Sequence, residues 1–129
     1  MESKKGKSGK SDTKPENPAD CCIIVLVMAA GMDEARRIGK TLVHERLAAC
    51  ANIIPGVESL FFWENRFCIE NEILVMMKTR CDLFETLKER VQSLHSYEVP
   101  EIIALPVTAG SEEYLGWVSD TTAGNAGPG

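Results

Sequence analysis

The chain has 129 residues and a formal net charge of −5, so it is long enough for one domain with a hydrophobic core and too short for two. Residues 1–20 carry five Lys against four acidic residues, whereas residues 21–129 carry nine basic against fifteen acidic residues. The part expected to fold is therefore acidic. This balance argues against nucleic acid as a partner, because nucleic-acid binders usually present a basic face, and it favours cations.

The five cysteines, at positions 21, 22, 50, 68 and 81, include no CxxC pair. An odd number cannot all pair within one chain, so we expect reduced thiols and a cytoplasmic protein. A secreted or organellar location is the alternative if residues 1–30 are a targeting segment, since a Lys-rich start followed by an apolar run imitates a signal peptide. That run is about half of the ~20 residues that a membrane span needs, so we expect no membrane association.

The first half of the chain begins with a polar segment, residues 1–20, that is predicted to be a disordered tail because it has almost no apolar residues to bury. Residues 21–28 form a continuous apolar run rich in β-branched residues, which is typical of a central strand buried on both faces. Apolar residues then recur at three- and four-residue spacing. This pattern predicts an amphipathic helix from about Asp33 to about Arg46 or Leu47, with Asp33 or a neighbour as the cap.

A long antiparallel hairpin is predicted after Pro55-Gly56, a pair of residues that is typical of a break in regular secondary structure. Its strands cover residues 57–63 and 67–79, and Glu64-Asn65-Arg66 forms the turn, because Asn tolerates the positive φ that such turns require. The hairpin is longer than a domain of this size needs for itself. An overhanging hairpin usually pairs with another chain, so we expect a partner there.

The second half contains a clear helical stripe over residues 82–94, for which Asp82 is the expected N-cap. A strand is predicted at about residues 101–107, and a capped terminal helix is predicted to begin at Ser111 and to end near Val118. Residues 120–129 are rich in glycine and are predicted to be a flexible C-terminal tail.

The predicted order of elements is β-α-β-β-α-β followed by a short C-terminal helix. This order predicts an α+β, ferredoxin-like domain over residues 21–119, with a four-stranded antiparallel sheet and both main helices on one face. The fold hosts enzymes, regulatory modules and RNA-binding domains, so it does not identify a function.

Candidate site residues lie in the polar, aromatic turn that joins the second helix to the last strand. His95 is the better candidate metal ligand of the two histidines, because imidazole suits copper and zinc and Tyr97 lies nearby. Lys78, near the end of the hairpin, is a candidate anion contact. No Cys or Ser has a base and an orienting group at a spacing that indicates nucleophilic catalysis, so we predict no catalytic residues.

Several separated motifs, in this order, resemble the CutA divalent-cation tolerance family. They are LAACANIIPG at 47–56, WE at 63–64, KT at 78–79, HSYEVPE at 95–101 and YLGW at 114–117. The resemblance covers about residues 22–118. It implies a homotrimer of ferredoxin-like subunits, similar to PII-type signalling trimers, with paired hairpins and with clefts between subunits. The cleft residues that it implies are Trp63, Lys78, Tyr97, Glu101 and Trp117.

The resemblance also implies an association with copper or another divalent cation. The copper ligands described in the family, one Cys and two adjacent His, correspond here to Val27, Leu94 and His95, so we expect weak binding centred on His95. The leading hypothesis is a trimeric, non-enzymatic binding or signalling protein associated with divalent metal tolerance. The alternative is an enzyme acting on a small anionic substrate at a cleft formed by Lys78, Tyr97 and Glu101.

Overall fold

The computed structural model describes residues 21–124, and the predicted N-terminal tail and the last five residues lie outside this part of the chain. The elements follow the predicted order. They are β1 (Cys22–Ala29), α1 (Met32–His44), β2 (Cys50–Trp63), β3 (Arg66–Arg80), a 3₁₀ turn (Cys81–Leu83), α2 (Phe84–Leu94), β4 (Ile102–Pro106) and α3 (Glu112–Thr122). No helix in the described residues is long and apolar enough to cross a membrane.

The four strands form one antiparallel sheet in the order β2-β3-β1-β4, with β1 between β3 and β4. This arrangement confirms the predicted ferredoxin-like α+β fold and the central place of the first strand. Alternate residues of β1, such as Val25 and Val27, are fully buried against α1 and α2 on one face of the sheet. Ile38 and Leu42 of α1 and Leu87 of α2 complete this core.

The opposite face of the sheet, which we call the open face, carries the other alternate residues of each strand. Lys78 of β3 pairs with Cys50 of β2, and paired residues share a face. Tyr114 of α3 contacts Cys50, so α3 covers one end of the open face. Ile103 and Leu105 of β4 are each 47% exposed on this face, which leaves an apolar surface without a cover in the single subunit.

Three local predictions were wrong. Pro55-Gly56 does not end a segment, because β2 continues through it with a bulge between Ile54 and Val57, and Gly56 takes a φ of 82°. Asp33 does not cap α1, whose N-cap is Gly31. Asp82 does not cap α2; it lies in the 3₁₀ turn, 3.3 Å from Arg80 Nε, and the N-cap is Leu83.

The position of the hairpin turn and the cap of α3 are as predicted, although Arg66 belongs to β3 and not to the turn. Glu64 and Asn65 form a two-residue turn with φ values of 52° and 65°, which matches the positive φ required at both central positions. Ser111 accepts a hydrogen bond from the backbone nitrogen of Tyr114 at 3.2 Å. The helix continues to Thr122, four residues beyond the predicted end, so residues 120–122 are helical and do not belong to a loose tail.

Candidate functional site

The turn between α2 and β4 is held by the ring of His95. Its Nε2 lies 2.7 Å from the carbonyl oxygen of Met28, and its Nδ1 lies 3.0 Å from the backbone nitrogen of Tyr97. The Tyr97 amide donates to Nδ1, which also lies 3.1 Å from Oε2 of Glu34, and Nε2 donates to the Met28 carbonyl oxygen because a carbonyl can only accept. The side chain is 0% exposed. His95 therefore fixes the turn against β1, and this geometry does not favour the metal role predicted for it.

Glu34, in the first turn of α1, is a second anchor of the same turn. Its Oε2 accepts from the backbone nitrogen of Ser96 at 3.0 Å, and its Oε1 accepts from Ser96 Oγ at 2.8 Å. Burial by itself raises the pKa of this carboxyl, but the hydrogen bonds from Ser96 and the nearby His95 and Arg37 side chains lower the pKa overall. Glu34 therefore stays charged and ties Ser96 to the start of α1.

Tyr97 joins the turn to the hairpin. Its hydroxyl donates to Oε2 of Glu72 on β3 at 2.9 Å, and Glu72 is only 7% exposed. Burial of the phenol, the hydrogen bond to Glu72 and the negative charges of Glu72 and Glu70 raise the pKa of Tyr97 to about 12. The phenol is therefore neutral at physiological pH and supplies the donor that a buried carboxylate requires.

A cavity of about 830 Å³ lies between this turn and the hairpin. Three of the five cleft residues predicted from the sequence line it together: Trp63, Tyr97 and Glu101. Phe61 adds a further aromatic wall. The structure thus brings the end of the hairpin and the turn after α2 to one site, although they are more than thirty residues apart in sequence.

The charge of the cavity is acidic. Four carboxylates line it, those of Glu70, Glu72, Glu98 and Glu101. Within residues 21–124 it has no Lys or Arg in its lining. Carboxylates attract cations, and aromatic faces add to the attraction when the cation is organic. The arrangement can therefore hold a positively charged ligand and would repel an anion.

The other two predicted cleft residues, Lys78 and Trp117, lie at the opposite end of the open face. Lys78 Nζ donates to Oδ1 of Asn52 on β2. The Trp117 ring packs against that of Tyr114, with 5.5 Å between their centroids. The Tyr114 hydroxyl lies 3.5 Å from Cys50 Sγ. This contact, followed by burial, raises the pKa of Tyr114 to about 12. The contact between Tyr114 and Cys50 therefore holds α3 on the sheet, whereas Lys78 links β3 to β2.

Among the cavity residues that were not predicted are Glu70, Glu72 and Phe61. A signal for the two glutamates was present, because Glu70 and Glu72 are alternate residues of a predicted strand and must share a face. Phe61 shares their face only because of the bulge at Pro55-Gly56. The sequence pattern indicates the end of a segment at that point, so it gives no means of predicting the face of Phe61.

The copper ligand set implied by the resemblance does not fit this chain. Val27 is fully buried in the core and offers no ligand atom, and Leu94 is likewise aliphatic. His95 has both ring nitrogens in hydrogen bonds within the protein. No group of three or more His, Cys, Asp or Glu side chains in the described part of the chain is arranged to hold a metal ion.

The chain is similar in sequence to proteins that are named CutA. The chain is 46% identical over 99 residues to the divalent-cation tolerance protein CutA of Thermus thermophilus, and the match covers 77% of this chain and 96% of that protein. It is 43% identical over 100 residues to the chloroplastic protein CutA of Arabidopsis thaliana. That match covers 78% of this chain and 55% of the plant protein, so the chain spans about half the length of the plant relative.

Solved structures and a family model agree. The structure of CutA1 from Oryza sativa superposes with a TM-score of 0.78 at 37% identity, and the match covers 81% of this chain and 96% of that one. The solved structure of the divalent cation tolerance protein from Thermus thermophilus gives a TM-score of 0.76 at 45% identity, with 78% and 97% covered. A family model described as CutA1 divalent ion tolerance protein matches residues 23–121. The chain belongs to the CutA1 divalent ion tolerance family.

Proposed function

We propose that this protein is a trimeric, non-enzymatic binding protein whose acidic cavity takes a cation, with a divalent metal ion as the first candidate. The observation that carries the proposal is the acidic lining of the cavity, to which four glutamates contribute between the hairpin and the Tyr97 turn, although no three of them are arranged as a ready-made metal site in the described residues. Carboxylate oxygens and waters are the ligands that hard divalent ions take, and Mg²⁺ in particular keeps several of its waters and binds through only one or two carboxylates. The names of the relatives, which concern tolerance of divalent cations, support the same class of ligand.

The apolar surface of the hairpin supports a trimer. On the hairpin face opposite that of Trp63, Phe62 pairs with Phe67 across the two strands. Phe62 is 73% exposed in the single subunit. Large aromatic residues exposed on a long hairpin are costly unless another chain covers them. A second and a third copy of the chain would cover this surface.

The alternative, an enzyme acting on a small anionic substrate, has weaker support. Lys78 lies away from Tyr97 and Glu101 and is hydrogen-bonded to Asn52. The acidic lining would repel an anion. The relatives carry the names of tolerance proteins. As for location, we retain the cytoplasm as the proposal, because none of the five cysteines, all of which lie in the described residues, forms a disulfide. One archaeal relative of solved structure is titled periplasmic and the plant relative is named chloroplastic, so relatives differ in compartment.

Calorimetric titration with CuCl₂, ZnCl₂ and MgCl₂ tests the cation site. The double variant Glu70→Gln/Glu101→Gln should bind the preferred ion at least about tenfold more weakly, a loss of ~1.4 kcal/mol. The matched control, Glu112→Gln/Glu113→Gln, makes the same charge change on α3 outside the cavity and should bind as the unaltered protein does. Equal loss in both variants would mean that general acidity, and not the cavity, attracts the ion.

The trimer has a separate test. Light scattering coupled to gel filtration should give three times the subunit mass of 14.2 kDa. Phe62→Glu should reduce this mass, because it introduces a charge into the proposed contact. Val43→Glu is the matched control, since Val43 is an exposed apolar residue of α1 and lies outside the hairpin. A monomeric unaltered protein at micromolar concentration would contradict the proposal.

A further inference from the structure

A pair of cysteines outside the cavity lies where β1 and β3 end together. Cys22 is the partner of Arg80 in the ladder, so Cys21 stands directly opposite Cys81. The Cys81 backbone nitrogen donates to the Cys21 carbonyl oxygen at 2.8 Å, which continues the ladder by one residue pair. The Cα atoms of such hydrogen-bonded pairs are about 5.5 Å apart, within the range of about 4.4–6.8 Å that a disulfide spans.

The two side chains also share one face. In the ladder, Ile23 and Thr79 are the next pair on this face, and both are buried towards α1 and α2. Both thiols are half-buried and packed against the edge of the core. The Cys81 thiol shares a hydrogen bond with the Cys21 side chain, so the two sulfur atoms approach each other. Cys22, although adjacent in sequence, points to the open face and cannot take this place.

We propose that Cys21 and Cys81 form a reversible disulfide that staples the start of β1 to the end of β3, with a low-molecular-weight disulfide such as oxidised glutathione as the oxidant. The Cys21 thiolate attacks one sulfur of the oxidant and releases its first thiol. Cys81 then loses its proton to solvent and attacks the Cys21 sulfur of the mixed disulfide, which releases the second thiol. Two cysteine thiols are oxidised by two electrons, and the oxidant is reduced to two thiols.

The order of attack follows from the surroundings of Cys81. Burial, the hydrogen bond that the Cys81 thiol donates to Cys21, and the nearby charge of Asp82 raise the pKa of Cys81 to about 11, so little of it is thiolate at neutral pH. Cys21 is therefore the first nucleophile. Once the mixed disulfide has formed, the short distance between opposite residues of the ladder favours the second step over attack by a free thiol. The rate of closure should rise with pH, because the second step needs the Cys81 thiolate.

The test is incubation of the full chain with oxidised glutathione, followed by thiol counting and digestion without reductant. The number of free thiols, five in the reduced protein, should fall by two, and mass spectrometry should identify a peptide pair that links Cys21 to Cys81. Because Cys22 lies in the same peptide as Cys21, Cys21→Ser and Cys22→Ser form the matched pair of variants. Cys22→Ser should retain the link, whereas Cys21→Ser and Cys81→Ser should lose it.

Three results would overturn the proposal: a link that survives in Cys21→Ser, a link between two chains in place of one within a chain, or a stable mixed disulfide without closure in the unaltered protein. Circular dichroism of each variant separates loss of the link from loss of the fold. Cys81→Ala provides a second substitution at the site if Cys81→Ser does not fold.

Discussion

Replacement of Glu34 by Gln removes a negative charge from the point where the turn after α2 is tied to α1. The Glu34 side chain is only 11% exposed and accepts two hydrogen bonds from Ser96. A hydrogen bond to a charged group contributes about 1.5–3 kcal/mol, and Gln keeps one neutral acceptor. We therefore expect Glu34→Gln to lower the free energy of unfolding by about 1–3 kcal/mol at neutral pH.

The same substitution has a defined pH dependence. The pKa of Glu34 in the folded protein is lowered from its ordinary value of 4.5. A carboxyl with a lowered pKa contributes stability that is complete above the unfolded pKa and is lost as the pH falls through the folded pKa. The difference in free energy of unfolding between the unaltered protein and Glu34→Gln should therefore be largest at neutral pH. It should shrink as the pH falls below the ordinary pKa of the carboxyl.

Urea unfolding followed by circular dichroism, at one protein concentration and at about pH 7 and about pH 3, measures this difference. Asp33→Asn is the matched control, because Asp33 is exposed in the same first turn of α1 and feels the same helix dipole. Asp33→Asn should lower the free energy of unfolding by less than about 1 kcal/mol. Equal costs for the two variants, or a Glu34→Gln difference that persists unchanged at acid pH, would refute the role assigned to the Ser96 contacts.

Two further predictions concern Tyr97 and the hairpin turn. The pKa of Tyr97 is raised from 10.0 to about 12, so its contribution to stability is complete below the unfolded value and is lost as the pH rises towards the folded one. Urea unfolding across this alkaline range should therefore show a shallower loss of stability for Tyr97→Phe than for the unaltered protein. Glu64→Gly should stabilise the protein by about 0.5–1 kcal/mol, because Glu64 has a φ of 52° that Gly adopts without strain. Thermal unfolding measures the change, and the control Glu58→Gly should instead lower the unfolding temperature, because Glu58 lies in the extended strand β2.

The order of elements was predictable because hydrophobic periodicity depends on which face of each element is buried. The continuous apolar run of β1 indicates a central strand, as found, although the residues of β1 on the open face are only half-buried. The spacing of Ile38 and Leu42 places one side of α1 on the core. Cap residues were harder to predict. Asp82 has the chemistry of an N-cap, but the chain forms a 3₁₀ turn at that point and Asp82 faces Arg80.

The sequence indicates that the polar turn between α2 and β4 is a site, but the separate roles of its residues were not predictable. His95 and Tyr97 both have side chains able to bind ligands. Only the tertiary structure shows that the first is buried against β1 and that the second reaches Glu72 on β3. Both contacts join segments distant in the sequence, for which local spacing carries no information.

The bulge in β2 decides which residues face the cavity. Before the bulge, Asn52 and Ile54 point to the open face, and Ile54 pairs with Leu74. The next pair is Val57 with Glu72, so β2 contains one residue more than β3 between these pairs. One extra residue reverses the alternation, because a slip of one position moves every later side chain to the other face. Beyond the bulge, the odd-numbered residues of β2 therefore face the cavity. Trp63 lies on this face together with the even-numbered residues Glu70 and Glu72 of β3. Without the extra residue at Pro55-Gly56, Phe62 would take the place of Trp63, and the aromatic surface proposed for the trimer contact would change faces as well.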